Sequence, residues 1–225
     1  MRVLHHWPLD PGSRQVRLAL AEKQLAFELA PVRFWEAPED FLALNPAGLP
    51  PVLVEDAAGA RLAVAETRAI LEYLEEVKPD PALLPARPAE RAEARRLALW
   101  FDRKFDAEVN AFLLHEKLEK RVQSLGGPDM EAIRAGRDYL RWHMDYLSGL
   151  LEARDGLAGP RFTLADVAAA AHLSCVDYLG DVPWDDFPPV KAWYQRIKCR
   201  PSFRAILADR LPGMGPADGY LDLDF

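Results

Sequence analysis

Apolar residues recur along the chain in two distinct rhythms, short runs early and helical stripes later. Val3 and Leu4 lead through His5, His6 and Trp7 into a turn punctuated by Pro8, Pro11 and Gly12, after which Val16, Leu18 and Leu20 fall on a helical pattern. This spacing predicts a strand, a loop and a helix that ends near Lys23. Residues 26–32 read as a second strand and residues 38–44 contain a short helix. Residues 52–54 form an apolar strand after the Asn45-Pro46 turn, and residues 62–64 return as its hairpin partner beyond Gly59. From Glu66 to Val77, Ile70, Leu71, Leu74 and Val77 make the stripe of an amphipathic helix that should pack on the sheet. Residues 1–77 therefore read β-α-β, then β-β-α, a small α/β unit with a mixed sheet.

The pattern changes at residues 78–88, where four prolines occur in eleven residues. Each proline disfavours a helical residue before it, so this stretch is expected to be an extended surface linker and the domain boundary. Residues 89–207 are helical by periodicity: one long helix or two from Ala89 to about Lys120, and another from Asp129 to Ala153. Thr163 and Asp166 have the spacing of a capping box, with Phe162 placed as the hydrophobic staple. The helix that follows is apolar nearly all round and reads as the buried centre of the second domain. His172 on it reads as a core histidine with its hydrogen bonds satisfied. Pro188 and Pro189 open a further helix that stops before Pro201. Residues 208–225 form a tail in which Leu221, Leu223 and Phe225 alternate with Asp222 and Asp224, the period of an extended segment with one apolar face.

Composition narrows the functional classes. The 225 residues are 50% hydrophobic and 28% charged, with a net charge of −7. That balance argues against general nucleic-acid binding and against attachment to a membrane surface. No apolar run reaches membrane-spanning length, and Met1 leads straight into a strand, so the expected location is cytoplasmic. Cys175 and Cys199 are the two cysteines; they are read as structural thiols, too few for a disulfide framework or a zinc site. No metal site is expected: His115 to Glu119 lacks the second histidine of a zinc-protease motif and reads as a solvated helix face, and His5 and His6 point to opposite faces of a strand. No Cys-x-x-Cys redox motif is present. What remains is the start of the first helix, where unpaired N–H groups and the positive end of the helix dipole offer a site for an anion or thiolate.

The segments SRQVRLALAEK, NPAGLPPVL, AETRAILEYLEE, FTLADVAAAAHLS and WYQRIKCRPSF resemble, in that order, the successive signature elements of the cytosolic glutathione transferase family. The resemblance extends to about Leu207. It implies a thioredoxin-like α/β N-terminal domain (1–77), the linker (78–88), an all-α C-terminal domain (89–207) and the tail (208–225), together the GST fold. It also implies a homodimer. Catalysis in that family uses a hydroxyl or thiol near the start of the first helix to stabilise the glutathione thiolate. Asp10 stands at the position of the hydroxyl in many serine-type members, and an ionised carboxylate there repels a thiolate. Ser13 remains, placed by the turn as a helix cap. The resemblance puts the cis-proline at Pro51 and the residue that pairs its main chain with glutathione at Pro50, which has no N–H to give. Leu49 takes the place of a frequent lysine. Glu66 and Thr67 match the acidic and hydroxyl pair that holds the γ-glutamyl end, or they simply cap their helix. The site is degenerate or vestigial, with no resident cofactor and glutathione at most a weak ligand.

Asp10 in its LDPGSRQVRLAL loop and the ending RPSFRAILADRL followed by YLDLDF resemble one branch of the family, the FtsZ-binding cell-division proteins of alphaproteobacteria. That branch implies a non-catalytic dimer that binds FtsZ filaments; the alternative is a transferase that conjugates glutathione to electrophiles. Leu221, Asp222, Leu223, Asp224 and Phe225 are the candidate partner contacts, by strand addition or groove binding with the carboxylates selecting a basic partner. Self-docking of the same apolar residues on their own subunit is the other reading.

Overall fold

β1 (Arg2–His6) is an inner strand of a four-stranded sheet of order β2-β1-β3-β4 in the computed structural model, which describes residues 1–57 and 59–225. It pairs in parallel with β2 (Glu28–Pro31) and antiparallel with β3 (Val52–Ala57), which pairs antiparallel with β4 (Ala60–Ala65). Leu4 faces Leu29 on one side and Leu53 on the other. Val52, Leu53 and Val54 are all buried, so the first half of β3 is an apolar run covered on both faces. β2 is shorter than residues 26–32 because it is an exposed edge with little to bury.

α1 (Pro11–Glu22) packs on α3 (Thr67–Val77), which buries Ile70, Leu71 and Leu74 but leaves Val77 exposed at its end. The short α2 (Glu39–Leu44) contributes Phe41 to a cluster with Val32, Val52 and Val54. Nearly all of α1 is buried, including Arg14 and Arg17, and Arg14 Nε donates to Pro8 O at 2.8 Å.

The chain divides into two compact units, Met1–Leu83 and Leu84–Phe225. The proline-rich stretch is exposed over residues 78–82 and 86–88, and it is fastened at several points. Buried Lys23 pairs with Glu75 at 2.6 Å and donates to Lys78 O and Pro81 O, Leu83 N donates to Glu75, and Leu83 and Leu84 are buried. A buried ammonium needs several acceptors, and carbonyls freed by the prolines supply them.

In the second unit, α4 (88–122) is one continuous helix, with wider π-type turns at Trp100–Asn110 and His115–Glu119. α5 (Met130–Leu151) is capped by Asp129, whose side chain accepts from Glu131 N and Ala132 N. α6 (Leu164–Tyr178) is buried over its whole length and packs against α4. α7 (Pro188–Lys198) packs on α5, and the short α8 (Arg204–Leu207) follows. The capping box of α6 is formed, and its Asp166 accepts four hydrogen bonds, from Thr163 N and Oγ1, Leu157 N and Trp193 Nε1, at 2.9–3.1 Å. Burial pushes the Asp166 carboxyl pKa up against the pull of those donors. Phe162 receives the Arg200 guanidinium over its ring at 4.1 Å. His172 is buried between Asn110 and Asp102, with Asn110 Nδ2 at 2.7 Å from its Nδ1. Cys175 is buried, but Cys199 is exposed beyond the end of α7, so only the first is a core thiol.

Candidate functional site at the start of the first helix

Asp10 has extended backbone angles and is followed by Pro11 at the first helical position, the arrangement that pre-sets the entry to a helix. Its carboxylate accepts from Ser13 N at 2.6 Å, and its carbonyl accepts from Arg14 N at 3.0 Å. The cap is therefore Asp10 and not Ser13. Ser13 lies inside the first turn, fully buried, with its Oγ accepting from Trp7 N at 3.2 Å. A hydroxyl so placed is not presented to a ligand.

Around this cap the fold gathers Pro51 and Thr67. A Cβ on Gly12 would lie 2.5 Å from Thr67 Oγ1, 3.3 Å from Pro51 Cδ and 3.4 Å from the Asp10 carboxylate. Only glycine lets the start of α1 approach the start of α3 this closely. The Pro50–Pro51 peptide is cis, and Leu49 beside it is exposed.

Glu66 precedes α3 with φ of 73° and ψ of 129°, a conformation that costs a non-glycine residue strain energy, and its side chain makes no capping hydrogen bond. The reading of Glu66 as a side-chain cap fails. The two helix starts are thus unlike. At α1 the chain's own carboxylate occupies the electropositive end; at α3 Glu66 is held in a strained geometry and serves the helix only through its carbonyl, which accepts from Ile70 N at 3.0 Å.

The start of α1 opposes a glutathione thiolate on two counts. The thiolate would meet the carboxylate already bound to the helix amide, and Pro50 offers no N–H on the neighbouring strand. An aromatic wall also lies in this unit, with Trp7 edge-on to Trp35 at 4.8 Å and Phe34 against Trp35 at 5.3 Å. Sequence reasoning passed over it because its members come from two separated segments; the tryptophans themselves were the only signal.

The tail of the second unit is not the extended strand its alternation predicts. Gly213 and Gly219 take positive φ, and Tyr220 N and Asp222 N bond back to Ala217 O and Gly219 O, folding the segment into turns. Tyr220 is buried, edge-on to Tyr178, and donates to Ile206 O. Phe225 packs against Trp184 and Tyr194, and its backbone oxygen accepts from Gln195 Nε2 at 3.1 Å. The buried Lys198 ammonium sits 4.1 Å from the Phe225 ring, its pKa lowered by burial while Asp177 and Asp222 oppose the shift. Between these anchors Leu221 and Leu223 are 48% and 42% exposed, and Asp222 and Asp224 are exposed too. Phe225 docks at home, whereas the two leucines do not share its face.

α4 and α5 carry a second exposed feature. Trp100 stacks on Tyr146 at 4.6 Å and on Trp142 at 5.7 Å, Lys104 lies 4.9 Å from the Trp142 ring, and Trp142 is half exposed. Beneath it, buried His143 accepts from Trp100 Nε1 at Nδ1, so its Nε2 donates to Glu108 at 3.0 Å. Burial lowers the His143 pKa to about 4, outweighing Glu108. His115 pairs with Glu119 at 2.8 Å. Among the described residues no helix is long and apolar enough to cross a membrane.

Two family profiles match the chain: "Glutathione S-transferase, N-terminal domain" over residues 11–77 and "Glutathione S-transferase, C-terminal domain" over residues 130–196. Over 224 residues it is 62% identical to FtsZ-localized protein A of Caulobacter vibrioides, covering 100% of this chain and 98% of that protein. The solved structure of FzlA from C. crescentus superposes with a TM-score of 0.98 over 100% of this chain and 99% of that one, at 62% identity. A solved glutathione S-transferase from Rhodospirillum rubrum superposes with a TM-score of 0.96, at 51% identity and full coverage of both chains.

Proposed function

The chain belongs to the glutathione S-transferase family, and from that premise we propose that it is a non-catalytic member that binds FtsZ filaments and regulates bacterial cell division from the cytoplasm. The full-length 62% identity to FtsZ-localized protein A carries this reading. The Asp10 cap supports its non-catalytic part, because the electropositive helix end on which the family builds its thiolate site already holds the chain's own carboxylate. Glutathione is at most a weak ligand.

The tail is the partner-binding element of this reading. Phe225 and Tyr220 fix the segment while Leu221, Asp222, Leu223 and Asp224 stand exposed between them, so contact residues are held in place before the partner arrives. Such preorganisation lowers the ordering cost of binding. The protein acts as a homodimer through the exposed Trp142 and the partly exposed Trp100 and Tyr146 stacked on it, an aromatic patch of the kind enriched at interfaces. The net charge of −7 disfavours nucleic acid as a partner.

The competing reading is a transferase. Retention on immobilised glutathione followed by a conjugation assay with a generic electrophile separates the two. Weak or no retention and no turnover are expected. Tight retention with turnover would replace this proposal with the enzyme.

A further inference from the structure

The second unit contains a cavity of about 730 Å³ where the end of α4 meets the start of α5, lined by none of the site or tail residues described above. Its volume falls in the range of ligand sites. Lys117, Lys120 and Arg121 line it from α4 and Arg137 from α5, and Met130, Ile133 and Met214 supply apolar surface. In a chain of net charge −7 this concentration of cations runs against the average.

The cations are only partly neutralised. Lys117 and Arg137 share one buried carboxylate, Asp181. Lys120 pairs at 2.6 Å with Glu116, which also accepts from Asp129 N. Arg121 donates to a neutral carbonyl, that of Gly213, at 2.5 Å. Four positive groups in the lining against Glu116 and, behind the lining, Asp181 leave a net charge of +2. Met130 is 60% exposed, and its flexible thioether, with that of Met214, makes an adaptable apolar surface. Apolar walls beside uncompensated cations call for a ligand that brings both an apolar side chain and carboxylates.

We propose that this cavity docks an acidic peptide segment of a partner protein, in which leucine-like side chains enter against Met130 and Ile133 while flanking carboxylates meet Lys120 and Arg121. The site is separate from the tail and stands whether or not FtsZ is the partner. The probe is a fluorescein-labelled Leu-Asp-Leu-Asp-Leu-Asp peptide titrated into the full-length protein by fluorescence anisotropy. Expected are saturable binding that weakens as salt is raised, a loss of about tenfold or more in K120E/R121E, and a several-fold loss in Met130→Asp. Met130→Asp should melt at the wild-type temperature, since Met130 is exposed; the double variant loses the Lys120–Glu116 pair, so Arg121→Glu alone, at an exposed residue, and Lys120→Ala repeat the test if it melts lower. Absence of saturable binding, equal binding of the Leu-Lys counterpart, indifference to these variants, or equally tight binding of an oligothymidylate would each overturn the proposal.

Discussion

Asp10 and Asp166 both stand at the start of a helix, and they do opposite things for this protein. Asp166 is fully buried, accepts four hydrogen bonds and ties α6 to Leu157 and to Trp193. Asp10 is half-buried and caps a helix whose first turn borders Pro51 and Thr67; on the proposed function it takes the place of a thiolate-stabilising group. The same side chain is structural at the third helical position, where partners surround it; at the cap position of α1 it is the residue that the proposed function makes site-determining. Number and burial of partners, more than residue type, separate the two roles.

Removing Asp166 is the strongest way to break the contrast. Asp166→Ala leaves three buried N–H donors without their acceptor and should cost about 3 kcal/mol or more in denaturant unfolding; a loss below about 1 kcal/mol would put the two aspartates in the same class. Acidification gives the next largest effect. The folded His143 has its pKa lowered from 6.5 to about 4, so its contribution is complete above pH 6.5 and is lost as the unfolded chain gains a proton that the folded one refuses. Stability should fall between about pH 6.5 and 4 by at most about 3 kcal/mol, and His143→Gln should flatten that part of the profile. Asp10→Ala should cost only about 1 kcal/mol, and Asp10→Ser a few tenths, since serine caps as well as aspartate. Asp10→Ser also removes the opposing carboxylate, so its retention on immobilised glutathione should exceed that of the wild type. Equal retention would mean that Pro50 alone closes the site.

What could be read from the chain follows the range of the interactions. The α6 capping box was legible because Thr163 and Asp166 carry it within one turn, and the stripe of α3 because a helix writes its own period. The choice between Asp10 and Ser13 as cap was also local: Pro11 at the first helical position marks the residue before it, and that signal was outweighed by the hydroxyl. The strain at Glu66 leaves no trace in composition. Neither does the fate of the tail, where alternation of leucine and aspartate points to a strand but Gly213 and Gly219 turn the chain, and the anchors of Phe225 lie in Trp184, Tyr194 and Lys198. The prolines of residues 78–88 predict an extended surface connection, but not that Lys23, distant in sequence, donates to its carbonyls.

On the proposed function the work of this protein lies on its surface, and Asp10 closes the family's thiolate site. Co-sedimentation with polymerised FtsZ tests this most directly, comparing the wild type with Asp222→Lys and Asp10→Ser. The wild type and Asp10→Ser should pellet with the filaments and Asp222→Lys should stay largely in the supernatant. Pelleting of Asp222→Lys at the wild-type level would remove the tail from the interface, and a wild type that conjugates glutathione but does not pellet with filaments would contradict the central claim.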